Sequence, residues 1–374
     1  MGNYLGEHIK KLGFGLMRMP ETADGKTDLA QVKDMVDAFM QAGFSYFDTA
    51  YVYGDGESEE VAKAAVVDRY PRDTFELATK LPLREITSEE SLDTLFNTSL
   101  SRTGAGYFDY YLLHAIDSSI LDALDKYNVW AYGQTLKQKG LIKHFGFSFH
   151  DSAEVLDEIL TAHPEVDFVQ LQINYIDWES DSVQSRLCYE VARKHEKPIV
   201  IMEPIKGGSL ALLAEDMQKI FKDTRPELSI ASWGMRFAAS LDGIITVLSG
   251  MSDMAQMEDN ISYMKDFEPL TDLDRDAILQ VVEKLNKIDT IPCTDCKYCV
   301  PNCPQNINIP SMIKALNNYR LYNTYEKEKE RYDGAIEKGG RASECIECGV
   351  CEGYCPQHIA IIEVLKDVAG VFEN

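Results

Sequence analysis

A chain of 374 residues with 45% hydrophobic content has room for one large domain and a small appendage, and it is too apolar to remain disordered. The formal net charge of −24 repels phosphate backbones and anionic bilayers, which removes nucleic acid and membrane from the expected partners. The opening stretch lacks the apolar run of a signal peptide and no later run approaches the length of a membrane span, so a cytoplasmic protein is expected.

From the start of the chain to about residue 287, short apolar runs alternate with helical patterns. Strands are predicted at Leu12–Met17, Phe44–Phe47, Phe75–Lys80, Phe108–His114, His144–Ser148, Asp167–Asn174, Pro198–Glu203 and Ile244–Leu248. Between them, Asp28–Gln41, Glu57–Asp68, Glu89–Leu100, Ser152–Leu160 and Ser182–Lys194 repeat apolar residues at intervals of three and four, which predicts helices. Eight strand–helix repeats predict an α/β fold closed into a (β/α)₈ barrel. The competing open, doubly wound sheet lacks its Gly-x-Gly-x-x-Gly turn, since Gly13-Phe14-Gly15 does not continue that pattern.

After Thr290 the composition turns to dense Cys, Pro and Asn, and a domain boundary is expected there, with residues 1–290 as the barrel and 291–374 as a second domain. Ile309, Met312, Ile313, Leu316 and Tyr319 keep helical spacing, and the charged run to Arg331 also favours helix. Eight of the nine cysteines lie in this part. Cys293, Cys296, Cys299 and Cys303, then Cys345, Cys348, Cys351 and Cys355, repeat the form C-x₂-C-x₂-C-x₃-C-P. Three thiolates so spaced can hold three irons of one cubane while the fourth turns to the other cluster. The expected ligation is therefore crossed, with Cys293, Cys296, Cys299 and Cys355 on one [4Fe–4S] cluster and Cys345, Cys348, Cys351 and Cys303 on the other. Structural zinc favours separated C-x₂-C pairs, and a reducing compartment disfavours disulfides. The ninth cysteine, Cys188, shares an apolar helix face with Val183, Leu187 and Val191 and is expected in the core.

Chemistry in such a barrel sits at the C-terminal ends of the strands. Asp48, Lys80 and His114 close the second, third and fourth predicted strands, and Tyr53 follows Asp48 in a loop. Together they can form a proton donor: a cationic lysine beside a phenol favours the phenolate, Asp48 keeps Lys80 charged, and His114 orients a substrate oxygen. Singly, each residue also suits a helix cap, a strand end or a loop aromatic.

The segments FDTAYVYGDGESEE, LATK and YYLLH resemble the aldo/keto reductase motifs, and the resemblance covers most of residues 10–265. With the cysteine tail, the chain resembles aldo/keto reductases that carry a C-terminal two-[4Fe–4S] ferredoxin-type domain. The resemblance implies a catalytic tetrad at Asp48, Tyr53, Lys80 and His114, a nicotinamide cofactor and a small carbonyl substrate. It also implies a cofactor site at Ser148, at Gln172 or alternatively Gln170, at Met202, and at Ser249, Gly250 and Asn260. Phe149 stands where the family has Asn, Met202 where an aromatic usually stacks, and Leu248–Asn260 carries no Lys or Arg to clamp a 2′-phosphate. Arg18, closing the first predicted strand, or Lys206 would have to compensate. A nicotinamide moves two electrons and each cluster one, so flavin mononucleotide is the alternative cofactor, with Gly207 and Gly208 among the loop residues for its phosphate. The expected function is carbonyl reduction coupled to electron transfer with a soluble redox partner. A flavin-dependent oxidoreductase and an electron-carrier or docking protein with a non-catalytic barrel are the alternatives.

Overall fold

Eight parallel strands pair in chain order and close on one another: β1 (Leu12–Gly15), β2 (Tyr46–Asp48), β3 (Glu76–Leu81), β4 (Phe108–Ile116), β5 (Ile142–Phe149), β6 (Phe168–Gln172), β7 (Ile199–Met202) and β8 (Ile244–Ser249). The computed structural model describes residues 4–322, 324–337 and 339–373. The architecture is the expected (β/α)₈ barrel. Both faces of such a sheet are covered, which is why its strands read as near-continuous apolar runs. Among the described residues no helix is long and apolar enough to cross a membrane.

Tyr46, Ala78, Tyr110, Phe168, Val200 and Ile245 pack into one buried cluster contributed by six different strands, which marks the inward face of the barrel. Side chains alternate across a strand with a period of two. The same inward face therefore carries Asp48, Lys80, His114, Gln170, Gln172 and Met202, towards the C-terminal ends.

Some strand ends differ from expectation, for local reasons. β1 stops at Gly15, so Arg18 lies in the turn beyond it. β4 continues past His114 to Ile116, through a register shift against β5 between Leu113 and Ile116, where Ala115 adopts φ 57°. β6 stops at Gln172 because Asn174 turns back, its Oδ1 accepting from the backbone N–H of Asp177 at 2.9 Å. The helix expected over Glu57–Asp68 is regular only to Ala62, and a wider turn follows over Lys63–Val67.

Two compact units divide the chain. One runs to Pro204 and resumes over Gly234–Leu270, and it holds the eight strands; the other comprises Ile205–Trp233 and the chain from Thr271 onward. In the second unit, helices Ile309–Tyr322, Tyr325–Ile336 and Ile361–Phe372 share one core, in which Met312, Ile313, Leu316, Tyr332, Leu365 and Val368 are buried. The Phe372 ring stacks on Tyr332 with centroids 5.5 Å apart and on Tyr325 at 5.9 Å. The helical spacing from Ile309 to Tyr319 thus becomes the buried stripe of the first of these helices.

Candidate functional site

At the end of β2, Asp48 is buried and its Oδ1 accepts from Lys80 Nζ at 2.6 Å. Lys80, also buried, donates to the Thr49 carbonyl at 2.8 Å, and its Nζ lies over the Tyr53 ring, 4.7 Å from the centroid. Burial pushes the Lys80 ammonium below its ordinary pKa and the Asp48 carboxyl above its own, and the contact between them opposes both shifts. The Tyr53 and His114 rings meet edge to face at 5.7 Å. His114 is held well below the ordinary imidazole range by burial first, then by the Lys80 and His150 charges, so it stays neutral near pH 7. The structure thus gathers the four tetrad residues into one cluster on the inward face.

Tyr53 depends on a loop of unusual backbone. Gly54, Asp55 and Gly56 take φ of 57°, 54° and 95° in succession. The left-handed turn at Gly56 favours glycine, and the Arg102 guanidinium fills the space where a Cβ would stand, 2.6 Å from its carbon. Arg102 donates to the Tyr51 carbonyl at 3.1 Å and pairs with the buried Glu59, which accepts from Thr79 at 2.7 Å. The loop before the helix at Glu57 is thereby tied to β3, the strand of Lys80.

On the other side of the barrel mouth, Ser148 Oγ accepts from the Ala115 backbone N–H at 2.7 Å. The bulge after His114 therefore also places Ser148. Gln172 Nε2 donates to the buried Asp177 at 2.9 Å, and Asn174 Nδ2 donates to the same carboxylate oxygen at 2.7 Å. Gln170 is buried, pairs in register with Ser148, and leaves its Oε1 without a hydrogen-bond partner among the described residues. Ser249 accepts from Asn260 Nδ2 at 3.2 Å, and Asn260 accepts in turn from the Tyr263 hydroxyl. Met202 ends β7, and Gly250 faces the Arg18 side chain. Arg18 itself pairs with Glu203 at 3.2 Å.

The sequence marks Asn174 and Glu203 only as strand ends and gives no role to Asp177 or to the Glu59–Arg102 brace. Their partners are far along the chain or beyond a turn, where no period marks them.

In the second unit the two cysteine segments repeat each other in conformation as well as in spacing. Cys345 follows Cys293 by 52 positions, and at that offset Asp295 and Glu347, Lys297 and Gly349, and Asn306 and His358 all take positive φ. Helices then begin at Ile309 and at Ile361, again at that offset. Burial pushes the Cys293 thiol up to about 12 and Cys351 to about 11, and raises Cys299 as well. Cys355 is among the groups whose charge acts on Cys293 and on Cys299, whereas Cys303 and Cys345 act on Cys351. Cys303, Cys345, Cys348 and Cys351 also line one open cavity, with Ile307, Ile309 and Leu365 on its wall.

Residues 11–283 match the aldo/keto reductase family, and residues 292–360 match the 4Fe-4S dicluster domain. The chain belongs to the aldo/keto reductase family.

It is an oxidoreductase of that family with a C-terminal 4Fe-4S dicluster domain. An uncharacterized oxidoreductase of Bacillus subtilis, YqkF, is 25% identical over 278 residues, covering 68% of this chain and 86% of that one. An aldo-keto reductase of Mycolicibacterium vanbaalenii is 33% identical over 137 residues, which is 36% of this chain and 46% of that one. Among solved structures, aldo-keto reductase AKR11C1 of Bacillus halodurans superposes with a TM-score of 0.61 at 23% identity, over 75% of this chain and 95% of that one. An aldo-keto reductase of Klebsiella pneumoniae in complex with NADPH gives 0.60 at 19%, over 76% and 95%. At those identities the likeness shows the fold.

The family's cofactor and the dicluster domain's clusters can each be set against these residues. Buried Ser148 and Gln172 stand at the ends of neighbouring strands with polar groups suited to an amide, so the reductase end of the site fits a nicotinamide. The family's 2′-phosphate fits less well. Arg18 is engaged by Glu203, and the helix start at Met254, where an anion would be favoured, is capped by the Asp253 carboxylate at 2.8 Å from the Gln256 N–H. The cysteines fit two cubanes. Buried thiols resist losing a proton unless a cation offsets the charge, which cluster iron would do, and four of the eight cysteines line one open cavity. Among the described residues no three His, Cys, Asp or Glu converge on a single metal ion. In a cubane each thiolate takes its own iron and shares none with its neighbours.

Proposed function

We propose that the barrel interconverts a small carbonyl compound and its alcohol, with Tyr53 as the group that gives or takes the proton at the substrate oxygen. The observation that supports this most is the buried Lys80–Asp48 pair beneath the Tyr53 ring, with Nζ 4.7 Å from the centroid. A bound nicotinamide supplies the hydride. The Tyr53 O–H donates to the oxygen as negative charge grows there, and the nearby ammonium stabilises the phenolate left behind. Asp48 keeps that ammonium charged in a site whose burial works against it. Neutral His114 hydrogen-bonds the same oxygen and fixes its direction without competing for the proton. Ser148 and Gln172 would hold the carboxamide, and Met202, Ser249, Gly250 and Asn260 would form the rest of the cofactor site.

We infer further that residues 1–290 form this barrel domain and 291–374 a domain holding two [4Fe–4S] clusters with crossed ligation. Cys293, Cys296, Cys299 and Cys355 take one cluster, and Cys345, Cys348, Cys351 and Cys303 the other. Their single electrons pass to or from a soluble redox partner, in a reducing compartment such as the cytoplasm.

Replacing Tyr53 by Phe keeps the ring and removes the acid. Carbonyl reduction, followed by nicotinamide absorbance with a panel of small aldehydes and ketones, should fall by about 10²–10⁴, with the melting temperature unchanged. Turnover equal to that of the parent chain would sink the assignment.

A further inference from the structure

The two cysteine segments are conformational copies, yet their outer faces differ. In the first copy Thr294 is buried against this unit's own segment: a Cβ on Gly207 would come within 2.3 Å of the Thr294 carbonyl oxygen, so backbone lies directly on backbone there. Its counterpart 52 positions on is Ile346, which is 57% exposed. Val350 and Tyr354 follow at four-residue steps, 40% and 37% exposed. Val350 opens a short helical turn that ends at Tyr354, so the two point the same way. Among the described residues only seven large apolar side chains are exposed, and three of them fall in these nine positions. The exposed Cys348 stands in their midst, and Ile346 forms part of the rim of the cavity that Cys303, Cys345, Cys348 and Cys351 line.

The charges differ too. The first copy, CTDCKYCVPNCP, balances Asp295 with Lys297. The second, CIECGVCEGYCP, carries Glu347 and Glu352 and no base, and the nearby Lys366 is already paired with Glu347 at 3.3 Å and Glu363 at 2.8 Å. An apolar centre with an acidic rim suits a partner with an apolar centre and a basic rim, where charge steers the encounter and the dry centre sets the dwell time.

We propose that the face formed by Ile346, Val350 and Tyr354 is where a basic-rimmed one-electron carrier protein docks, exchanging its electron with the cluster held by Cys345, Cys348, Cys351 and Cys303. In the first copy the counterpart of Ile346 is the buried Thr294 and that of Tyr354 is Asn302, so the apolar face is not repeated there. This rests on the reading that the cysteines hold clusters and exchange electrons with a soluble protein. The step moves one electron and nothing else: the reduced side loses it, the oxidised side gains it, and no bond or proton changes.

The test uses the full chain with clusters intact, reduced with dithionite and freed of excess, and oxidised cytochrome c as a basic one-electron acceptor. Ferricyanide, small and needing no docking face, is the comparison. I346Q/V350Q should slow the second-order reduction of cytochrome c about tenfold and leave the ferricyanide rate within about twofold. E347K, at an exposed position, should flatten the dependence of the cytochrome c rate on salt. Iron and acid-labile sulfide are measured on each variant, and should the double variant lose clusters, the salt dependence of E347K decides alone. An unchanged cytochrome c rate with an unchanged salt dependence would overturn the docking face while leaving electron exchange standing. Clusters that pass no electron to either acceptor would overturn the electron-exchange reading itself.

Discussion

The barrel mouth and the cysteine segments reach functional order by opposite routes. At the barrel mouth, Asp48, Lys80, Tyr53 and His114 come from three strands and a loop, and only the closed sheet brings them together. A buried ion pair there costs desolvation that the surrounding packing has to sustain. In the cysteine segments the order is local: spacing and a repeated set of left-handed residues shape each loop, and the core around Phe372 is small. A site made by packing should survive loss of its cofactor, whereas a small unit built round inorganic clusters should not.

The largest effect should come from breaking the local order. Full occupancy corresponds to ~8 irons per chain. Cys303→Ala should remove roughly half of the iron and sulfide, and the half that goes should be the cluster on Cys345, Cys348 and Cys351, although Cys303 belongs to the other motif in sequence. Cysteine accessibility to alkylation, read by peptide mass, identifies which set is freed. If Cys293, Cys296 and Cys299 react and the later three stay protected, ligation is not crossed. Chelating all iron should melt the tertiary signals of residues 291–374 while the barrel's far-ultraviolet dichroism and melting transition persist, and a single shared transition would erase the contrast.

How far each site can be read in the sequence follows from the same contrast. The eight cysteines declare themselves by interval alone, since the interval is the one that cubane ligation requires. Asp48, Lys80 and His114 are legible at one remove, since apolar alternation marks the strands and polar residues close them. Arg18 is not legible: as an isolated basic residue near a strand end it reads as a candidate phosphate clamp, and only the turn beyond Gly15 and the positive φ of Glu203 bring the two charges within 3.2 Å. Gly207 is similar. In sequence it reads as a phosphate-loop glycine, whereas the structure gives it the close approach to Thr294.

A middle-sized effect should follow from releasing Arg18. With its guanidinium held by Glu203 and Asp253 capping the nearby helix, discrimination between NADPH and NADH should stay under about tenfold, or roughly 1.4 kcal/mol. Glu203→Gln removes the competing carboxylate and keeps the backbone carbonyl that Asn174 uses. Its preference for NADPH should rise by about 1.4- to fivefold, in keeping with the ~0.2–1 kcal/mol of a partly exposed ion pair. Fluorescence titration of both nucleotides reads the ratio, and an unchanged ratio would mean that Arg18 does not face the 2′-phosphate.

The smallest effect concerns His114, and it separates a packed site from a merely assembled one. Burial first, with Lys80 and His150 behind it, holds its imidazole well below the ordinary pKa of about 6.5. An unfolded chain takes up that proton as pH falls through about 6.5, while the folded chain does not, so protons favour the unfolded state and stability drops on the acid side. Above about pH 7.5 both states carry a neutral ring and the penalty vanishes. His114→Asn cannot titrate and carries no such penalty at any pH. The variant should therefore gain on the parent chain as pH is lowered from about 7.5 to about 5.5. Urea midpoints for both chains at pH 7.5 and 5.5 give the difference, and the other histidines cancel because both chains contain them. A gap between the two chains that does not move with pH would show that His114 titrates freely, and neutral hydrogen bonding to the substrate oxygen would then lose its basis.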